Sequence, residues 1–216
     1  GTISVGDIAV QANSPDVVWV GTGESNTRNS VSFGDGVYRS NDGGKSWTHM
    51  GLRDTERISR IVIHPSNPDI VYVAAVGHAF GPNEERGVFM TTDGGKTWQK
   101  TLYIDREHGA SDLDIDPTNP NILYAGMWKF ERKPWTFTSG DEKGGVFRSV
   151  DGGRTWKQLT NNLPKLMGRI GVQVAPSNSN VVYVIAETKE GMLYRSDDGG
   201  ETFKMVSKEP RIVSRG

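Results

Sequence analysis

Five carboxylates, Glu24, Asp35, Glu85, Glu107 and Asp112, stand in or at the edge of the segments that connect short apolar runs, where they could share one face. Cleaving a glycosidic bond takes two carboxyl groups about 5–10 Å apart, one protonating the leaving oxygen and the other acting as base or nucleophile. Glu24, Asp35, Glu85 and Asp112 are therefore the catalytic candidates. Around them stand groups suited to holding a ligand: Arg28, Asn29, His78, Arg86, Arg132 and Trp135. An aromatic platform beside hydrogen-bonding side chains fits a sugar or an extended peptide, so Glu24, Arg28, Asn29, His78, Glu85, Arg86, Arg132 and Trp135 form the candidate binding set. Asp112, Asp114 and Asp116 alternate along one stretch, which places all three on one face of a strand. That pattern suits a cation such as calcium or one half of an acid pair. A solvated strand end explains Asp116 as simply, and a loop edge explains Asp112.

Other chemistry is poorly supported. His49, His64, His78 and His108 stand singly in different surroundings, and His64 beside Pro65 reads as a turn residue. Gly21-Thr22-Gly23-Glu24 opens like a dinucleotide fingerprint but lacks the third glycine and a following helix. No cofactor and no metal site is expected, the acidic strand and calcium being the exception to test. The chain has 216 residues, no cysteine and a net charge of −1. It thus lacks disulfide or thiol chemistry and the basic surface that nucleic acid or an anionic membrane would attract. No run of 18 apolar residues suits membrane insertion. The chain opens on Gly1 without a signal peptide, which reads as a mature, trimmed or partial polypeptide.

The elements that must position these groups are written in a repeat. Ser40-Asn41-Asp42-Gly43-Gly44-Lys45-Ser46-Trp47 returns around Asp93 and Trp98, Asp151 and Trp156, and Asp198 and Phe203. The common form is [ST]-x-D-G-G-x-[ST]-[WF]. Its Asp can accept backbone N–H bonds, its glycines supply positive φ, and its aromatic residue opens the next strand. Four equivalent aspartates argue for a structural turn, since active sites are singular.

A second motif runs in step: a short alternating strand, a Pro/Asn turn, then a Val/Ile/Tyr-rich strand, as in Ile61-Val62-Ile63-His64-Pro65-Ser66-Asn67-Pro68-Asp69-Ile70-Val71-Tyr72-Val73. A third strand precedes each box and a fourth follows it. Repeats of about 50 residues holding four antiparallel strands each are the pattern of β-propeller blades. The expectation is an all-β chain of four consecutive blades, 1–52, 53–104, 105–160 and 161–208. Residues 209–216 read as the start of a further blade of a larger ring or as a tail.

In such a blade the A–B turns and the boxes share one face, and the B–C and D–A loops share the other. The box face is short and stereotyped. The B–C loops differ in every repeat, as binding loops do; the third, Trp128 to Lys143, reads as long and irregular.

The box resembles the Asp-box, or BNR repeat, of sialidases, xyloglucanase-type glycoside hydrolases and sortilin-type propellers. Val18-Trp19-Val20-Gly21-Thr22-Gly23-Glu24, Gly34-Asp35-Gly36-Val37-Tyr38, Glu85-Arg86-Gly87-Val88 and Lys133-Pro134-Trp135-Thr136-Phe137 are most similar to bacterial sortilin-like proteins carrying this repeat. The resemblance implies an exported, extracytoplasmic propeller that binds polypeptide or glycan. Arg57-Ile58-Ser59 and Arg169-Ile170-Gly171 are not the Arg-Ile-Pro segment that opens the sialidase arginine triad. Two readings stand: a non-catalytic binding or scaffolding propeller, which is the primary expectation, and a glycoside hydrolase with its acid pair on the loop face.

Overall fold

The computed structural model describes residues 2–26, 28 and 30–212. They form four antiparallel sheets of blade type, with no α-helix among the described residues. The first sheet orders β1 (Val5–Val10), β2 (Val18–Thr22), β3 (Val37–Ser40) and β4 (Thr48–His49). The second orders β5 (Ile58–Ile63), β6 (Val71–Ala75), β7 (Gly87–Thr91) and β8 (Gln99–Leu102). In the third, β9 (His108–Ile115), β10 (Leu123–Lys133), β12 (Gly145–Ser149) and β13 (Lys157–Leu159) make the blade, and β11 (Thr136–Ser139) adds to β10. The last orders β14 (Ile170–Val174), β15 (Val182–Ala186), β16 (Leu193–Ser196) and β17 (Lys204–Ser207). Pro210–Ile212 form a 3-10 turn, and residues 213–216 of the expected further approach lie outside the described residues.

Every box closes in the same way. In the third, the Ser149 hydroxyl donates to Asp151 at 2.8 Å and accepts the Gly153 N–H at 2.9 Å. Asp151 in turn accepts the Thr155 N–H and hydroxyl at 2.9 and 2.6 Å. Both glycines hold φ near 75°, at 73° and 78°, a conformation costly for a residue with a Cβ. These bonds favour the charged carboxylate, so Asp42 and Asp198 are pulled from 3.8 to about 2, and Asp93 and Asp151 move further in the same direction.

The apolar cores lie between blades. One joins Trp19 and Val37 of blade 1 to Ile58, Val71 and Val73 of blade 2, a second joins blades 2 and 3, and a third joins blades 3 and 4. None among the described residues joins blade 4 to blade 1. Burial in the B strands follows this order. β6 is buried throughout, because a blade covers each side, whereas β2 and β15 alternate.

The acidic strand is a stitch between blades. Asp112 accepts the Val172 N–H at 2.9 Å and Asp114 the Val174 N–H at 2.7 Å, as Asp7 accepts the Ile61 N–H at 2.7 Å one interface earlier. Burial pushes Asp112 and Asp114 up, against these same bonds. Asp116 is buried rather than solvated; it caps the Thr118-Asn119 turn and receives the Ser179 hydroxyl at 2.6 Å.

Candidate functional site

The loop face is built from the B–C and D–A connections. In blade 1, the Thr22 hydroxyl donates to Gly36 O and accepts the Asp35 N–H, pinching the loop at its base. Glu24 closes the loop from the other strand by accepting the Ser32 N–H, with Arg28 3.9 Å away. Asp35 Oδ2 accepts the Tyr38 hydroxyl at 2.8 Å and faces Arg53 at 3.5 Å, while its Oδ1 is buried without a hydrogen-bond partner. Asn29 lies outside the described residues.

In blade 2, Arg86 is buried rather than presented to a ligand. Its guanidinium donates to Glu107 O at 2.6 Å and His78 O at 3.0 Å and lies 4.2 Å over the Phe130 ring. Desolvation lowers it to about 10, which still leaves it charged at neutral pH. It is a pin that ties three loops by their carbonyls. His78 is half-buried and donates from Nε2 to Asp54 O at 2.8 Å. The Glu85 side chain makes no hydrogen bond or ion pair with another described residue.

Blade 3 departs most from expectation. Trp128 to Lys143 is largely a β-hairpin, because β10 continues to Lys133 and pairs with β11 from Phe130↔Ser139 to Lys133↔Thr136. Its two-residue turn is Pro134-Trp135, and Trp135 is 81% exposed at the tip. The base is fixed by aromatic packing. Trp128 and Phe130 stack at 4.7 Å, Phe137 meets Trp128 edge-on, and Trp128 Nε1 donates to Ser139 Oγ. The Arg132 guanidinium lies over Phe137 on the hairpin itself.

Sequence reading missed several groups here. His108 is fully buried, with Nδ1 2.6 Å from Asp105 and Nε2 2.8 Å from Asp141. His108 thereby bridges the two carboxylates. Lys143 pairs with Asp105, and Lys129 pairs with Glu107 and approaches Asp141. Bonds from His108 pull both aspartates down against burial, Asp105 to about 2. Arg169, at the start of blade 4, donates to Asn26 of the blade 1 loop at 2.6 Å and lies over Trp128. Glu187 accepts the Ser139 hydroxyl at 2.7 Å. Blades 1, 3 and 4 are thereby linked across the loop face. Only the clustering of Arg and aromatic residues hinted at this.

No two of the four catalytic candidates share a bonding partner, and Asp112 is spent on the blade interface. Among the described residues no group of three or more His, Asp or Glu side chains is placed to hold a metal ion. Among the described residues no helix is long and apolar enough to cross a membrane. What the face does offer is exposed rings: Phe33 in blade 1, Phe80 and Tyr103 in blade 2, and Trp135 in blade 3.

Comparison with known proteins agrees with this architecture. A xyloglucanase from Paenibacillus sp is 26% identical over 215 residues, covering 81% of this chain and 19% of its own length. Vacuolar protein sorting/targeting protein 10 of Schizosaccharomyces pombe is 32% identical over 136 residues, covering 62% of this chain and 8% of its own. The chain thus spans about a fifth of the xyloglucanases it matches. The solved structure of an ancestral GH74 enzyme superposes with a TM-score of 0.71 at 21% identity, over 96% of this chain and 25% of that one. The family model for Sortilin-Vps10, described as sortilin, neurotensin receptor 3, matches residues 35–143. The chain therefore belongs to the Sortilin-Vps10 family of Asp-box propellers.

Proposed function

We propose that these blades are part of a larger, extracytoplasmic propeller that contacts a polysaccharide of the xyloglucan class through its loop face. One observation carries this reading: Phe33, Phe80, Tyr103 and Trp135 are all exposed on the B–C/D–A side. Flat rings with nearby polar groups stack on sugar faces, and such stacking contributes on the order of 1 kcal/mol per ring. The xyloglucanase relatives supply the substrate class. Retention of the protein in a native gel containing xyloglucan, but not in one containing an unrelated soluble polymer, is the expected result. Equal mobility in both gels would remove the polysaccharide reading.

Those relatives also favour glycoside hydrolysis over simple binding. Asp35 is then the first carboxylate to test, because it sits at the base of the blade 1 loop with its Oδ1 left without a hydrogen-bond partner. Its partner carboxylate comes from blades beyond these four. In the full-length polypeptide, Asp35→Asn is expected to lower xyloglucan turnover at least about 100-fold, with retention in the xyloglucan gel unchanged. Unimpaired turnover would exclude Asp35. Polypeptide recognition is the second reading, supported by the Sortilin-Vps10 match, which takes in the hairpin.

A further inference from the structure

Each blade interface in the molecule repeats one polar contact. Between blades 1 and 2, Arg39 Nη1 donates to Gly94 O at 3.3 Å, and Trp19 covers the box so closely that a Cβ on Gly95 would sit 2.7 Å from its ring. Between blades 2 and 3, the Tyr72 hydroxyl donates to Gly152 O at 3.0 Å, and a Cβ on Gly153 would sit 2.8 Å from that ring. Between blades 3 and 4, the Tyr124 hydroxyl and Arg148 Nη1 both donate to Gly199 O, at 2.7 and 2.6 Å, and Arg148 also pairs with Glu201. The acceptor is always the first glycine of the following box. The donors always come from one register position: Trp19↔Arg39, Tyr72↔Met90 and Tyr124↔Arg148 face each other across strands B and C.

Blade 4 carries the same pair, Tyr183↔Arg195, with nothing to hold. Arg195 donates to the Tyr183 hydroxyl and to Asp197, and the Tyr183 hydroxyl donates to no described residue. The complementary half lies at the other end of the chain. A Cβ on Gly44 would meet only Trp47, whereas its counterparts in the other boxes are covered by a ring from the preceding blade. Trp47 is 43% exposed while Phe203 is buried. Ile8 and Val10 point outward on the same flank and are more than half exposed, an apolar face that a soluble protein covers.

We infer that the outer flank of blade 4 is a docking surface for the next Asp-box blade of the same polypeptide, recognised when Tyr183 and Arg195 donate to the carbonyl of its first box glycine. Covalent continuation is favoured over a second copy because the relatives are about five times longer than this chain. The inference rests on the larger-ring reading given above and specifies the chemistry of the contact.

Thermal unfolding of matched variants tests it. In the full-length polypeptide, Tyr183→Phe and Arg195→Met should each lower Tm, and by about as much as Tyr124→Phe and Arg148→Met are expected to lower it in the same polypeptide. In the 216-residue chain, only the Tyr124 and Arg148 substitutions should matter. Full-length Tyr183→Phe and Arg195→Met variants as stable as the parent, beside a destabilised Tyr124→Phe, would overturn the clasp while leaving the larger ring intact. Concentration-dependent dimers of the 216-residue chain that Tyr183→Phe abolishes would overturn covalent continuation in favour of a second copy. A native polypeptide whose mass ends at blade 4 would instead defeat the larger-ring reading itself.

Discussion

The charged residues of the boxes and of the loop face are held by opposite means. Each box aspartate is exposed enough to be wet, yet four local hydrogen bonds keep it ionised. A carboxylate whose folded pKa is depressed contributes stability that is present above its unfolded pKa and lost as pH falls through the folded value. Tm is therefore expected to fall between about pH 4 and pH 2 as the boxes protonate. An acid limb starting above pH 5 would assign the loss to other groups. Ser149 is buried and serves the box as both donor and acceptor, so Ser149→Ala should cost about 1–3 kcal/mol in urea unfolding, whereas a loss under 0.5 kcal/mol would mean that water replaces it. At His108 the partners arrive from two different loops. Replacing it by leucine leaves Asp105 and Asp141 without their shared partner, and a loss of about 3–5 kcal/mol is expected by the same measurement. A neutral His108→Leu would mean that Lys129 and Lys143 suffice to hold the two carboxylates.

At the level of elements, what could be read in advance depended on how local the determinants are. The box was legible because Ser149, Asp151, Gly153 and Thr155 bond to one another within seven residues. His64 was legible for the same reason, its Nδ1 accepting the Ser66 and Asn67 N–H groups of its own turn. Asp112 and Asp114 were not, since the N–H groups that satisfy them belong to the blade 60 residues further on. Arg86 was read as a ligand contact because a charged loop residue usually is one; its carbonyl cage is assembled from segments up to 44 residues away. The hairpin was readable and overlooked: Trp128-Lys129-Phe130-Glu131 alternates with period two, and Pro134-Trp135 sits at its turn. Trp128→Ala should cost about 3–5 kcal/mol, since that ring is buried at the hairpin base, while Trp135→Ala should leave stability within about 0.5 kcal/mol. Comparable losses from both would mean that the tip, not the base, holds the element.

Across the whole molecule, the repeats place the same acceptor at every blade interface, the first glycine of the following box, while the loops differ from blade to blade. Equivalent clasps onto the first glycine of each following box make the box side a scaffold. Arg86, His108 and Arg169 tie the variable loops to each other on the opposite side. The division between a regular box face and an opposite face of variable loops was legible from the repeat alone, because the boxes recur while the loops do not. The xyloglucan class proposed as ligand was not, and is taken from the relatives. The claim on which the account turns is that the hairpin tip meets polysaccharide. Titrating the protein with xyloglucan and following Trp fluorescence measures this directly. Trp135→Ala should weaken binding about 5–10-fold at unchanged Tm. An affinity identical to that of the parent protein would contradict the assignment of the loop face.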